Sequence, residues 1–192
     1  MAPFVGLTGG LGAGKSEALR LLGELGAATL STDAIVHELL EGEELRDALV
    51  TRLGPEVAAD GRLDRAKIAE RVFADDEART WLEGLVWPRV GQRVAAWRSG
   101  VGPDQLAVVE VPLLFESGME SVFDSTIAVV ADEAVREERA GARGHTAVTQ
   151  RAGRQLTQQQ KAERADFTVR NDGSLDELKQ ALSRVIAKLV DQ

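Results

Sequence analysis

Short apolar runs, each bounded by glycine or polar residues, recur along the chain. Phe4-Val5-Gly6-Leu7-Thr8 predicts a buried strand. From Lys15 to about Glu24 the pattern changes to helical spacing, with Leu19, Leu22 and Leu25 on a stripe and Gly26 as the stop. Ala28-Thr29-Leu30-Ser31 predicts a second strand. Leu106-Ala107-Val108-Val109-Glu110-Val111 predicts a third, and its near-continuous apolar character suits a parallel sheet covered on both faces. Ser125–Val130 and Phe167–Arg170 predict a fourth and a fifth. A last helix is expected from Leu175 to Val190, with Leu178, Leu182, Val185, Ile186 and Leu189 on one face.

Strands alternating with helices imply an α/β fold of three layers around a parallel sheet. Two stretches break the alternation. Residues 34 to 100 read as several helical segments without a convincing strand, broken at Gly54-Pro55, Asp60-Gly61 and Trp87-Pro88. Residues 133 to 165 read as helical, polar and rich in Arg and Gln. The first is expected to be a helical insertion beside the sheet and the second a mobile lid.

Composition narrows this picture. A chain of 192 residues supports one compact domain with insertions. Aromatic residues are 4% and Tyr is absent, so Val, Leu, Ile and Ala must fill the core. A formal net charge of -8 repels nucleic acid, so any anionic ligand needs a local site. The absence of Cys excludes disulfides, thiolate catalysis and Cys-based zinc sites. Neither a signal peptide nor a membrane span is expected, since no apolar run reaches about 18 residues. A soluble cytoplasmic protein follows by default.

The string Gly9-Gly10-Leu11-Gly12-Ala13-Gly14-Lys15-Ser16 fills the pattern G-x-x-x-x-G-K-[ST] between a strand and a helix. Glycines let the backbone bring N–H groups close to phosphate oxygens, and the helix points its positive end at them. Lys15 is placed to reach the β- and γ-phosphates, and the Ser16 hydroxyl to ligate Mg²⁺. The alternative is a glycine-rich turn that binds nothing, and the correct flanks on both sides argue against it.

Two carboxylates stand where such a fold needs them. Asp33 lies just past the second strand, at the edge that faces the ligand crevice in open α/β sheets. Its alternative role is an N-cap for a helix from Ala34 onward. Glu110 ends the third strand, a position for a carboxylate that supports Mg²⁺ directly or through water. Its alternative is a structural charge at a strand end. A GTPase would carry Asn-Lys-x-Asp; the nearest string, Asn171-Asp172-Gly173-Ser174, lacks the lysine. A small-molecule kinase fits best, because phosphoryl transfer needs little beyond positioning and charge neutralisation.

In order along the chain, these residues resemble the dephospho-coenzyme A kinases. The resemblance rests on Gly6 to Ser16, Asp33 before a helix, and Asp60-Gly61-Arg62-Leu63-Asp64-Arg65. It continues through Val111-Pro112-Leu113-Leu114-Phe115-Glu116-Ser117-Gly118, the most family-specific string. Arg136, Arg139, Arg143-Gly144, Arg151, Gln155, Lys161, Ala165-Asp166-Phe167 and Asn171-x-Gly173 complete it. It implies transfer of the ATP γ-phosphate to the ribose 3′-hydroxyl of dephospho-CoA, with Mg²⁺ and no nucleic-acid or membrane partner. It also implies a nucleotide-binding core (1–33, 101–132 and 166–192), a CoA-binding insertion (34–100) and a lid (133–165). A monomer or small homo-oligomer is expected.

Carried over residue by residue, the resemblance puts ATP on Gly10, Gly12, Ala13, Gly14, Lys15, Ser16, Glu17, Arg151 and Asn171. It puts the acceptor on Asp33, His37, Pro112, Leu113, Leu114 and Glu116, and the metal on Ser16 and Glu110. Lys15, Asp33, Arg139 and Arg143 are the expected catalytic set. Departures gather on the acceptor side. The family has Asp-Ala-Asp where this chain has Ser31-Thr32-Asp33, an Arg at His37, a His-Pro pair at Trp87-Pro88, and a Thr at Glu17. His37 either replaces a hydrogen bond of that Arg or is an exposed helical residue. Trp87 reads as packing. Arg136, Arg139 and Arg143 beside Glu133, Glu137 and Glu138 read either as phosphate ligands on closure or as a salt-bridged exposed helix. Two other readings stand beside the kinase: a kinase of another small acceptor, such as shikimate or a nucleoside monophosphate, and a nucleotide-binding regulatory module.

Overall fold

In the computed structural model, which describes residues 2–59, 62–142 and 155–190, five parallel strands carry the molecule. They are β1 (Phe4–Gly9), β2 (Ala28–Ser31), β5 (Ala107–Glu110), β6 (Ser125–Val130) and β7 (Phe167–Arg170), in the order β2-β5-β1-β6-β7. Burial of every residue of β5 and β6 explains why those runs lack polar alternation. Register is set by parallel pairs such as Leu7 with Glu110 and Gly9 with Val129.

Helices cover the sheet. Helix α1 (Lys15–Glu24) buries Ala18, Leu21 and Leu22, while Leu19 and Leu25 pack partly buried at its margin. Gly26 ends the turn with φ of 98°, a left-handed conformation. The last helix, here α8 (Leu175–Val190), buries Leu178, Leu182, Val185 and Leu189 in the same apolar cluster. Its buried positions recur three or four residues apart, as one helical face requires.

The chain divides into two compact units, Met1–Ser31 with Gly100–Gln192, and Thr32–Ser99. The second holds α2 (Thr32–Glu41), α3 (Arg46–Leu53), α4 (Arg65–Ala74) and nearly all of α5 (Asp76–Gly100). Two expectations fail there. A two-stranded antiparallel ribbon is present, β3 (Ala58–Ala59) with β4 (Arg62–Leu63). Strands of two residues are too short to leave an alternating pattern. Trp87-Pro88 does not break a helix either: α5 runs through Pro88. Proline lacks the N–H that would bond to residue 84 and crowds its carbonyl. Position 84 is a glycine, with nothing packed where a side chain would start.

The first unit also carries α6 (Glu133–Ala142) and α7 (Gln158–Arg164). Thr157 and Gln160 form a reciprocal capping box at the start of α7. Among the described residues, no helix is long and apolar enough to cross a membrane.

Candidate active site

The loop between β1 and α1 is shaped by glycines. Gly14 has φ of 92°, and a Cβ there would strike the side-chain amide of Asn171. Gly12 has φ of 75°, and a Cβ would meet the backbone carbonyl of Arg136 at 2.6 Å. Any other residue would be strained at both positions and would push the neighbours away. Gly14 supplies no side chain to cap α1, so no capping side chain competes with an anion at the positive end of the helix.

Polar contacts hold this cradle. The Lys15 ammonium donates to the Gly10 carbonyl at 3.1 Å, folded back over the loop it belongs to. Asn171, 5% exposed, donates from Nδ2 to the Ala13 carbonyl at 2.9 Å. Its own N–H is taken by Val130 at the end of β6. The resemblance puts Asn171 on ATP; its amide braces the cradle from beneath. Ser16 Oγ donates to Glu110 Oε1 at 3.4 Å, and Glu110 is 4% exposed. A buried carboxylate beside a hydroxyl is a set of hard oxygen donors, which fits Mg²⁺.

Helix α6 reaches the same loop. Arg136 donates from Nε to the Leu11 carbonyl at 2.9 Å and from Nη1 to Glu133 at 2.8 Å. Arg139 donates to the Asn171 carbonyl at 3.0 Å. Arg136 thus makes the ion pair expected of a salt-bridged helix, and it touches the cradle through a main-chain oxygen. Arg143 and Arg151 lie outside the described residues.

The remaining expected residues separate. Glu17 accepts from Arg20 on the surface of α1, which raises the Arg20 pKa from its ordinary value, the Glu17 hydrogen bond being the main cause. Leu114 is fully buried beside Gly6, so it belongs to the core. Leu113 is half-buried and its carbonyl accepts the Ser117 N–H. The Pro112 carbonyl accepts the Thr8 hydroxyl at 3.3 Å. Glu116 is bound to Lys161 at 3.0 Å and to the Leu156 N–H at 2.9 Å.

Asp33 and His37 belong to the second unit. Helix α2 starts at Thr32, two residues before the start that the cap reading assumed, so Asp33 is exposed in the first turn. A carboxylate there meets the positive end of the helix dipole. The His37 Nδ1 faces an Arg65 guanidinium, and its Nε2 lies 3.0 Å from Glu41. In that arrangement Nδ1 accepts from Arg65 and Nε2 donates to Glu41.

Two polar anchors carried no role in the sequence reading. Gln158 bonds both main-chain groups of Ala131, accepting at 3.1 Å and donating at 2.7 Å. Lys161 is buried against the loop after β5. The pattern Thr157-x-x-Gln160 signals the helix start on which both sit, but only tertiary structure shows what they touch.

A dephospho-CoA kinase family model matches residues 3–177. The chain belongs to the dephospho-CoA kinase family. A dephospho-CoA kinase of Protochlamydia amoebophila is 36% identical over 96% of this chain and 95% of that protein. One of Streptomyces avermitilis is 38% identical over 97% and 93%. A crystal structure of a Thermus thermophilus protein superposes with a TM-score of 0.84 at 33% identity, covering 98% of each chain. The family is one of kinases, and in this member Gly9 and Gly14 take positive φ while Lys15 folds back onto the Gly10 carbonyl.

Proposed function

We propose that this chain transfers the γ-phosphoryl group of ATP to the ribose 3′-hydroxyl of dephospho-CoA, the last step of coenzyme A synthesis. The observation that carries the reading is family membership over residues 3–177 in a chain with an intact cradle. The acceptor oxygen forms a bond to the γ-phosphorus while the bond to the β–γ bridging oxygen breaks, and ADP leaves. Asp33 orients the hydroxyl and takes its proton. Lys15 and the N-terminus of α1 hold the β- and γ-phosphates, and Arg139 and Arg143 meet the charge spread over the transferring group.

Ser16 and Glu110 would hold Mg²⁺, which neutralises phosphate charge when bound. Pro112 and Leu113 border the acceptor, and His37 presents Arg65 to it. Arg151 faces the nucleotide. The enzyme works in the cytoplasm as a monomer or small homo-oligomer, without nucleic acid or membrane.

A coupled assay against dephospho-CoA, shikimate, a nucleoside monophosphate and no acceptor tests this. ADP release that depends on dephospho-CoA is expected. Turnover of another acceptor in preference to it, or hydrolysis indifferent to acceptor, would refute the proposal.

A further inference from the structure

Lys161 is 1% exposed and has no place in the phosphate cradle. From the middle of α7 its ammonium donates to the Pro112 carbonyl at 2.5 Å and lies 3.0 Å from Glu116 Oε1. The same Glu116 oxygen accepts the Leu156 N–H at 2.9 Å. The Pro112 carbonyl is shared with the hydroxyl of Thr8, one residue before the cradle begins. Burying an ammonium is costly, and burial lowers the Lys161 pKa against the opposing pull of Glu116. A well-packed apolar pair would join the same surfaces at least as strongly. What an ion pair adds is direction. It fixes one loop at one distance from one helix.

The loop is Pro112 to Gly118, which lies within the string Val111–Gly118 on which the family resemblance leans most. The helix start is itself anchored. Gln158 clasps the Ala131 main chain at the end of β6, and its Cβ lies within 3.1 Å of a Cβ built on Gly10. The first turn of α7 therefore touches the cradle, β6 and the loop after β5 together.

We propose that Lys161 is a positioning residue for phosphoryl transfer. With Glu116 it clamps the Pro112–Gly118 loop to the start of α7, so Glu116 serves this clamp and does not bind the acceptor. The proposal rests on the kinase reading above for its kinetic consequence, but the clamp itself is independent of which acceptor is used.

The test compares Lys161→Met, Glu116→Gln and the charge-free double variant Lys161→Met/Glu116→Leu with wild type. Melting temperature, ATP affinity, acceptor KM and kcat are measured on the full chain. Lys161→Met is expected to lower the melting temperature and raise acceptor KM about tenfold, because small misplacements of a binding loop are expensive. The double variant is expected to regain the melting temperature while acceptor KM stays raised, with ATP affinity within about twofold of wild type. Recovery of both stability and KM would mean the pair is structural only and overturn the proposal. A large KM effect of Glu116→Gln with none from Lys161→Met would mean direct acceptor contact and overturn it too. If dephospho-CoA is not turned over, the function proposal fails by itself. Amide exchange then decides the clamp: it is expected to speed up at 113–118 and at Leu156 in the double variant, and unchanged exchange at restored stability overturns it.

Discussion

Lys15 lies back on the Gly10 carbonyl at 3.1 Å, a contact it must leave to reach a bound phosphate. If Lys15 meets the phosphates as proposed, Lys15→Ala removes charge stabilisation that matters most in the transition state, on the order of 3 kcal/mol. Loss of kcat by more than a hundredfold, roughly that energy, is expected in a protein whose melting temperature is close to wild type. A folded variant with near-normal turnover would contradict the role. Asp33→Asn is the complementary test. Asp33 is exposed in the first turn of α2, so losing its charge costs only about 0.3–1 kcal/mol of helix stability. If it takes the acceptor proton, kcat falls far more than ATP affinity. A lower melting temperature with unchanged kcat would make it a structural carboxylate. The cradle was legible residue by residue because its geometry is local: glycines, lysine and serine within eight positions. Lys161 was not, since a lysine in a polar helix looks solvent-exposed until the partners Pro112 and Glu116, more than forty residues away, are in view.

Elements were legible where their period is long enough to read. All five strands of the sheet and both α1 and α8 follow from apolar spacing, because each buries a face that the pattern must supply. The ribbon β3–β4 and the passage of α5 through Pro88 were not, since two residues make no period and proline argues for a break. The ends of β6 and β7 are tied by charge. Asp132 donates its N–H to Asp172, and Arg170 bridges both carboxylates. Burial works to raise the Asp172 pKa, but the Asp132 N–H and Arg170 outweigh it and lower it below the ordinary 3.8. A lowered carboxyl contributes stability above its unfolded value and loses it as pH falls through the folded one. Melting temperature should therefore drop more steeply in acid below 3.8 for wild type than for Asp172→Asn. Parallel curves for the two proteins would remove this tie from the acid response.

At the scale of the whole molecule, the first unit is assembled from both ends of the chain. Its core joins Leu21 and Leu22 of α1 to Leu178, Leu182 and Leu189 of α8. Leu182 is fully buried, so Leu182→Ala should cost about 2–5 kcal/mol. ATP binding should persist at low temperature and vanish along with folding on heating, in one transition by both probes. Binding lost while the fold remains would show that α8 shapes the cradle directly. The family resemblance reached this scale because its motifs are spread across the chain. Apolar spacing alone could not have supplied strand order, which depends on crossovers that no local pattern encodes.

That order has a consequence for how the protein is made. Phe4 pairs with Ala107, and β1 sits between β5 and β6. During synthesis β1 leaves the ribosome without either neighbour, while Thr32–Ser99 emerges as one continuous stretch. At about 5–20 residues per second, β1 waits roughly 5–20 s for β5. Nascent chains halted so that Ser99 but not Ala107 has left the ribosome are expected to show protease resistance within 32–99 and none in β1. Resistance of β1 at that stage would mean that it finds a temporary partner. The strand that leads into the glycine loop precedes Thr32–Ser99 in the chain, and it takes its place between β5 and β6 only after that whole stretch has been made.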